Sequence, residues 1–217
     1  GFQADYTLSK NRFAVGVAEY RLYPQATGML IYESTAKPEG LAAVFVRDRI
    51  VERSHITPSG NQLRPQKYEY QQKGGKQTKH YQLNFDWAAA KLENTNINET
   101  FDLPADTQDM LSFQLQLMRQ LQTGEKTFAF HLADRNKVRA YELRYKETQQ
   151  LQTALGEMQV VLLEHRRPDH QDVFRFWCAP SLEYLPVKIE RIEDDGDQVM
   201  FELRHFASLP RTTTAAE

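Results

Sequence analysis

Apolar side chains recur with a helical period in one stretch of the chain, Asp106–Gln122. Successive residues of an α-helix are rotated by about 100° around its axis. On that period the apolar side chains cover an arc of about 200°, which is wider than the stripe of an ordinary surface helix. We therefore expect the helix to be covered on more than one side, or to lie in a concave seat, through Met110, Leu111, Phe113, Leu115, Leu117, Met118 and Leu121.

Polar residues mark the ends of this predicted helix. Asp106 or Thr107 can accept hydrogen bonds from the free N–H groups of the first turn. Asp109 adds a negative charge near the positive end of the helix dipole. Gly124 suits the position just beyond the last turn.

The polar positions inside the helix are of two kinds. Gln114 lies in the middle of the apolar arc, where it either bonds to backbone or acts as a polar anchor in an apolar pocket. The opposite face is predicted to be polar and carries Ser112, Gln116 and Arg119.

Alternating apolar and polar residues predict strands and hairpins before the helix. The pair Gly74-Gly75 is typical of a two-residue hairpin loop. That loop would pair Tyr68 with Tyr81 and would place Tyr70 on the same face.

The pattern after the helix is clearer. A two-residue loop at Arg135-Asn136 predicts that Phe130 lies opposite Tyr141. For the last hairpin, a three-residue loop Asp194-Asp195-Gly196 is favoured, because it brings the apolar residues of both strands to one face and puts glycine at a left-handed position.

These patterns predict one fold class. The chain is expected to be mainly β with one principal α-helix, its antiparallel meander forming an open, curved sheet or an incomplete β-barrel closed by the helix. Residues 2–206 are predicted to form a single domain, and residues 207–217 a flexible C-terminal tail.

Composition excludes several classes. The 217 residues include 27 basic and 29 acidic residues, and the net charge of −2 argues against a nucleic-acid partner. There is no run of 18 apolar residues, so no transmembrane segment is predicted. The single cysteine, Cys178, cannot form an intramolecular disulfide and is interpreted as a buried, inert thiol.

The sequence offers few groups for catalysis or metal binding. The common nucleotide, hydrolase and zinc-protease motifs are absent. His165 and His170, with Asp169 or Asp172, lack a third ligand at a fixed spacing, so a solvated turn is favoured over a metal site. The acidic residues at 194–197 lack the spacing of a calcium loop. No cofactor and no metal are predicted.

A basic cluster lies on the tyrosine-rich hairpin. Basic and aromatic side chains on strands can bind single-stranded nucleic acid. Because the net charge of the chain is near zero, we instead interpret this cluster as basic side chains that protect an exposed sheet edge. Its members are Lys67, Lys73, Lys76, Lys79 and His80.

Several runs of sequence resemble one bacterial family that is known only as a domain of unknown function. They are DTQDMLSFQLQLMRQL, YKETQQLQTALGEMQVVLLEHRR and FRFWCAPSLEYLPVKIERI, with VGVAEYRL, QLRPQKYEY and FDW in the first half. The C-terminal signature is an FW pair followed by LPVKIE. The resemblance covers roughly residues 2–206.

The resemblance implies an exported protein. Members of the family have a signal peptide or a lipoprotein leader in the precursor, so a periplasmic location in the cell envelope is expected. The implied shape is similar to the LolA and LolB type of periplasmic lipoprotein carrier, an open antiparallel barrel partly closed by helix. No catalytic residues are established for the family.

Our first hypothesis is a non-enzymatic periplasmic protein that binds a lipid or another apolar ligand in a half-barrel under the helix. The candidate lining residues are Met110, Phe113, Gln114, Leu117, Met118, Leu121, Phe128, Phe130, Phe174, Phe176 and Trp177. The same residues can instead form a plain core, and a structure without a cavity above about 300 Å³ between helix and sheet would exclude the hypothesis.

The alternative is a cell-envelope interaction or structural module without a ligand. Its candidate partner surface is formed by Tyr68, Tyr70, Tyr81, Ser112 and Arg119. An enzyme is not predicted, because no nucleophile clusters with a base. A structure that places His131, His165 or His205 near an acid in a cleft would reopen that possibility.

Overall fold

The structure is a computed structural model that describes residues 1–40, 42–45, 48–75, 78–166 and 172–210. Eight strands and a short helix precede the central part of the chain. They are β1 (Phe2–Lys10), β2 (Phe13–Pro24), β3 (Leu30–Pro38), α1 (Ala42–Phe45), β4 (Arg49–Ser59), β5 (Gln62–Lys73), β6 (Lys79–Asp86), β7 (Lys91–Asn94) and β8 (Glu99–Asp102).

The principal helix and seven further strands follow. They are β9 (Thr107–Gln108), α2 (Ser112–Leu121), β10 (Thr127–Asp134), β11 (Lys137–Thr153), β12 (Gly156–Arg166), β13 (Val173–Ala179), a 3₁₀ turn (Pro180–Leu182), β14 (Leu185–Ile192) and β15 (Gln198–Ser208). Residues 211–217, which make up most of the predicted tail, lie outside the described residues.

All fifteen strands belong to one sheet. Its order runs from β8 back to β1, then to β15, and from there back to β9. Every neighbouring pair is antiparallel except the two-residue pairing of β9 with β10. The prediction of a mainly β chain with one principal helix and an open antiparallel sheet is confirmed.

Contacts between distant strands show how far the sheet curves. Gln108 in β9 donates its side-chain amide to the backbone carbonyl of Leu63 in β5, at 2.8 Å. The amide of Asn94 in β7 donates to the carbonyl of Arg135, at the turn between β10 and β11. The two halves of the sheet therefore face each other, and α2 lies between them.

The hairpin registers agree with the sequence pattern at two of three places. Phe130 pairs with Tyr141 as predicted. The last hairpin has the three-residue loop, because Glu193 bonds Asp197 backbone to backbone and Gly196 has φ +87°. The Gly74-Gly75 register is wrong by two residues, since Tyr70 rather than Tyr68 pairs with Tyr81. A shift of two keeps every side chain on its predicted face.

The tyrosine-rich hairpin lies mostly inside the sheet, because β7 pairs with Leu83–Asp86 of β6 and β8 pairs with β7. The interpretation of an exposed edge is therefore wrong for Lys67, which pairs with strands on both sides. Lys73, Lys79 and His80 lie at the end of the hairpin, where each pairs with a strand on one side only. Lys76 lies outside the described residues.

The helix begins later than its apolar period predicts. The prediction placed its start at Asp106 or Thr107, but Thr107 and Gln108 form β9 and pair with His131 and Leu132 of β10. The first helical residue is Ser112. Backbone pairing with a neighbouring strand takes the place of the first predicted turn.

The prediction of an exposed polar helix face is also wrong. Residues 112–118 are all buried, including Ser112, Gln114 and Gln116. The helix is enclosed by strands of both halves, so its polar side chains bond to protein instead of water. Only Arg119 and Gln120 are partly exposed within α2.

Buried apolar residues form two clusters. The smaller one, here called the aromatic cluster, packs one side of α2 against strands β10–β13 and consists of Phe113, Leu117, Leu121, Phe128, Phe130, Leu132, Tyr141, Leu143, Leu163, Phe176 and Cys178. The larger one includes Leu115 and Met118 on the other side of α2 and extends through β1–β7 and β13–β15.

Candidate ligand-binding site

A cavity of about 550 Å³ lies beside the C-terminal half of α2. The helix, the starts of β1, β3 and β5, the ends of β2 and β15, and the 3₁₀ turn form its walls. The apolar lining residues are Phe2, Leu22, Leu30, Leu63, Leu115, Met118, Leu182 and Phe206. The cavity exceeds the lower bound of about 300 Å³ that is typical of ligand pockets.

Polar side chains also line this cavity. They are Arg119, Gln122, Ser181, Glu183 and Ser208. Arg119 donates from Nη2 to the carbonyl of Gly60 in the β4–β5 turn, at 2.9 Å. Glu183 is exposed and has a left-handed backbone, with φ 54°. The cavity is therefore apolar over most of its wall, and its lining side chains include one cation and one anion.

Hydrogen bonds to β5 fix the position of α2 beside the cavity. The side-chain carbonyl of Gln116 accepts the backbone N–H of Leu63, at 2.8 Å. Since Leu63 itself lines the cavity, this buried bond holds one wall to the helix. Leaving that N–H without an acceptor would cost about 1–3 kcal/mol.

A buried carboxylate accepts hydrogen bonds from free N–H groups at the N-terminal end of the helix. Asp109 Oδ1 accepts the backbone N–H groups of Leu111 and Ser112, each at 2.8 Å. Its Oδ2 accepts the hydroxyl of Ser54 in β4, and the Ser112 hydroxyl accepts the N–H of Asp109. Burial raises the pKa of Asp109 to about 6, and these hydrogen bonds oppose the rise.

A second carboxylate belongs to Glu52, which lies two residues before Ser54 and on the same face of β4. Glu52 accepts hydrogen bonds from the hydroxyls of Ser34 and Tyr68. Burial raises the pKa of Glu52, and both hydroxyl donors oppose that shift. We name Ser34, Glu52, Ser54, Tyr68, Asp109 and Ser112 the carboxylate network.

Gln114 extends this polar side of the helix. Its side chain lies near the hydroxyl of Tyr20 and opposes the rise that burial causes in the pKa of that tyrosine.

A second cleft, of about 590 Å³, lies along β10–β12. His131 Nδ1 is 2.7 Å from Asp106 Oδ1 within it, so a histidine does lie near an acid in a cleft. The lining residues that the structure describes include no serine, threonine or cysteine. Thr107, which follows Asp106 and pairs with His131 between β9 and β10, is fully buried and does not line this cleft.

The predicted lining residues occupy different places. Met118 lines the 550 Å³ cavity and Phe130 lines the second cleft. Phe113, Leu117, Leu121, Phe128 and Phe176 belong to the aromatic cluster, and Met110 and Phe174 pack against it. Gln114 is buried within α2, and Trp177 lies in the larger cluster.

The predicted partner surface is largely buried. Tyr68 is 1% exposed, Tyr81 is 8% exposed and Ser112 is fully buried. These three residues cannot form a contact surface, because their strand face and helix face point into the molecule. Tyr70 is partly buried and stacks on Tyr81. Arg119 is partly buried at the cavity.

Most of the cavity residues could not be identified from the sequence. Leu22, Leu30, Leu63, Leu182 and Phe206 come from five separate segments, and each follows the ordinary pattern of a strand or turn. They meet only when the sheet curves. Their local sequence holds no signal of a shared cavity.

The remaining residues that the sequence offered for catalysis or metal binding are mostly buried or lie outside the described residues. Cys178 is buried, and burial raises the pKa of its thiol. His165 is buried and stacks on Tyr141, so it is not in a solvated turn. His170 and Asp169 lie outside the described residues.

The acidic residues of the last hairpin loop lie close together. Glu193, Asp195 and Asp197 have carboxylate oxygens within 4.8 Å of one another. Asp197 is held by Lys10 at 2.6 Å and by Asn11 at 2.9 Å. These contacts join the loop to the β1–β2 turn, which is a structural role.

Comparison with known families assigns the chain. The family model described as "protein of unknown function (DUF3108)" matches residues 3–204. The chain belongs to this family. No curated protein gives a significant sequence match to this DUF3108 member.

One solved structure shows the fold of this DUF3108 member in another protein. A β-barrel-like protein of the DUF1849 family from Brucella abortus is similar with a TM-score of 0.63 at 11% identity, over 96% of this chain and 98% of that one. This likeness extends to the fold alone.

Two further structures have lower scores. A Bacteroides fragilis protein, described as exported and YmcC-like in fold, has a TM-score of 0.35 at 9% identity over 96% of each chain. A Parabacteroides distasonis protein, described as a lipoprotein, has a TM-score of 0.37 at 10% identity over 95% of each chain. Within the described residues, no helix of the DUF3108 member has the length and apolar character to cross a membrane.

Proposed function

We propose that this protein is a non-enzymatic protein of the cell envelope that binds an apolar ligand, such as the acyl chain of a lipid, beside α2. The observation that carries the proposal is the 550 Å³ cavity between the helix and the curved sheet. A periplasmic location, the likeness to LolA- and LolB-type carriers and a single domain over residues 2–206 are parts of the same proposal.

The composition of the cavity wall supports an apolar ligand. Eight large apolar side chains line it, from the helix, the strands and the 3₁₀ turn. Burial of apolar ligand surface stabilises a complex by roughly 25 cal/mol per Å². Met118 adds a flexible side chain that can adapt to ligands of different shape.

The proposal is tested with an uncharged fluorescent probe, N-phenyl-1-naphthylamine, whose emission rises in apolar surroundings. We expect saturable binding to the wild-type protein. Leu182→Trp fills the cavity from the 3₁₀ turn and should abolish the increase in fluorescence. Leu30→Trp fills it from the opposite wall and should have the same effect.

Leu155→Trp is the matched control. Leu155 is 39% exposed and does not line the cavity, so this variant should bind the probe like the wild type. Circular dichroism establishes that each variant is folded. Absence of saturable binding to the wild type, or unchanged binding to both folded cavity variants, would refute the proposal.

A further inference from the structure

Arg119 occupies a particular place in the molecule. It lies in the last turn of α2, is partly buried and lines the apolar cavity. One of its N–H groups donates to the Gly60 carbonyl. A guanidinium group has five N–H donors, so this single bond fixes the side chain and leaves donors for another acceptor.

No carboxylate among the described residues lies within ion-pair distance of Arg119. Some arginines of the sheet differ in this respect, whereas Arg49, Arg64 and Arg139 resemble Arg119 within the described residues. Arg175 pairs with Glu164 and Glu190, each at 3.0 Å, and Arg191 pairs with Asp172. The cation at the cavity is therefore not neutralised by a direct protein partner in the part of the chain that is described.

The negative end of the helix dipole accounts for part of this placement. A cation in the last turn of a helix is stabilised by the partial negative charge of the free carbonyl groups there. That role needs no cavity, so it predicts that Arg119 affects stability and leaves ligand selectivity unchanged. The two roles can be separated by experiment.

Glu183 is the acidic group that lines the same cavity. It is exposed on the C-terminal side of the 3₁₀ turn, whereas Arg119 is partly buried. Solvent screens an exposed charge more strongly than a partly buried one. Arg119 should therefore dominate the electrostatic preference of the cavity, and Glu183 should weaken it.

We infer that the ligand is a single-chain amphiphile with an anionic head group, bound by Arg119 at the cavity while its chain contacts Leu115, Met118 and Phe206. This inference rests on the proposed apolar-ligand function. A guanidinium group can bind either a carboxylate or a phosphate through two parallel hydrogen bonds. Both head groups share the negative charge that the site recognises.

The test compares three amphiphiles with the same chain: laurate, dodecyl phosphate and 1-dodecanol. Each is used to displace N-phenyl-1-naphthylamine at mildly alkaline pH, below its micelle concentration. We expect at least one of the two anions to bind wild type about tenfold more tightly than 1-dodecanol, as a charge-assisted hydrogen bond predicts. The tighter of the two anions identifies carboxylate or phosphate as the source of charge.

Variants assign the preference to its residues. Arg119→Gln should remove the tenfold preference while 1-dodecanol still binds within about twofold of wild type. Glu183→Gln should increase the preference. Arg49→Gln is the matched control, because Arg49 is exposed at the start of β4, at the opposite end of that strand from Gly60.

The outcomes separate the two proposals. Equal displacement by 1-dodecanol and both anions would overturn the inference and would leave the apolar-ligand function standing. A preference that survives Arg119→Gln would also overturn it, and would leave Arg119 with the helix-dipole role. Failure of wild type to bind the probe would refute the proposed function and the inference together.

Discussion

The two sides of α2 lie in contrasting surroundings. Towards β10–β13, Phe113 makes edge-to-face contacts with Phe130, Tyr141 and Phe176, with ring centroids 5.8–6.4 Å apart. Towards β3–β5, the start of the helix meets the carboxylate network, in which buried polar groups bond to one another. One side is held by packing and the other by directed hydrogen bonds.

This difference explains where the cavity lies. Interlocking aromatic and aliphatic side chains fill the space between the helix and the strands on the first side, and the second cleft along β10–β12 is lined by no residue of α2. On the second side, hydrogen bonds fix Asp109 and Gln116 at set positions without filling the volume beyond them. The cavity begins past these bonds, where Leu115 and Met118 face the starts and ends of the N-terminal strands.

The largest expected effect tests the packed side. Phe113→Ala should lower the free energy of unfolding by about 3–5 kcal/mol, because it removes a 4% exposed ring and leaves a cavity. Urea unfolding measures this change. Phe13→Ala is the control, since Phe13 is 76% exposed, and it should change stability by less than about 0.5 kcal/mol. Similar losses in both variants would contradict the comparison.

The next effect tests the hydrogen-bonded side through pH. The folded pKa of Asp109 is raised to about 6 from an unfolded value of 3.8, so the folded protein retains a proton that the unfolded chain loses. Its contribution to stability is present below about pH 4, falls as pH rises to about 6 and is constant above that. The total change is about 3 kcal/mol.

Asp109→Asn isolates this contribution, because the amide does not titrate and the remaining carboxylates are common to both proteins. The stability of wild type relative to Asp109→Asn should fall by about 2 kcal/mol between pH 4 and pH 7, as measured by urea unfolding at each pH. Two parallel stability curves would show that Asp109 has an ordinary pKa.

A smaller effect is expected for the tyrosine of the carboxylate network. Tyr68→Phe removes the hydroxyl that donates to Glu52 and should destabilise the fold by about 1–3 kcal/mol. Tyr145→Phe removes a hydroxyl from a more exposed contact with Thr148 and should stay within about 0.5 kcal/mol of wild type. Equal effects would mean that the buried bond adds little.

Local patterns predicted the hairpins well. The loops at Arg135-Asn136 and Asp194–Gly196 follow from side-chain alternation and turn chemistry, and both involve residues that are close in sequence. At Gly74-Gly75 the same reasoning gave the correct faces and a register that is wrong by two. Alternation predicts which face of the sheet a side chain occupies. The loop length must also be known to predict which residue of the neighbouring strand it pairs with.

Long-range contacts could not be predicted from the sequence. The helix pattern gave no sign that Thr107 and Gln108 pair with β10, or that Ser112 and Gln116 are buried opposite β4 and β5. The wide apolar arc did correctly indicate a covered helix. The way the two halves of the sheet meet decides which side chains line a cavity and which fill the core. Periodicity within one segment does not predict how the halves meet.

The pairing of β1 with β15 also has a consequence for folding order. These strands come from opposite ends of the sequence and join the two halves of the sheet, with Phe2 opposite Ser208 and Lys10 opposite Val199. Each half is a meander of sequential neighbours, whereas this junction closes a loop of nearly the whole chain. Because non-local contacts form slowly, the junction should be a late step, reached only after both halves have begun to curve.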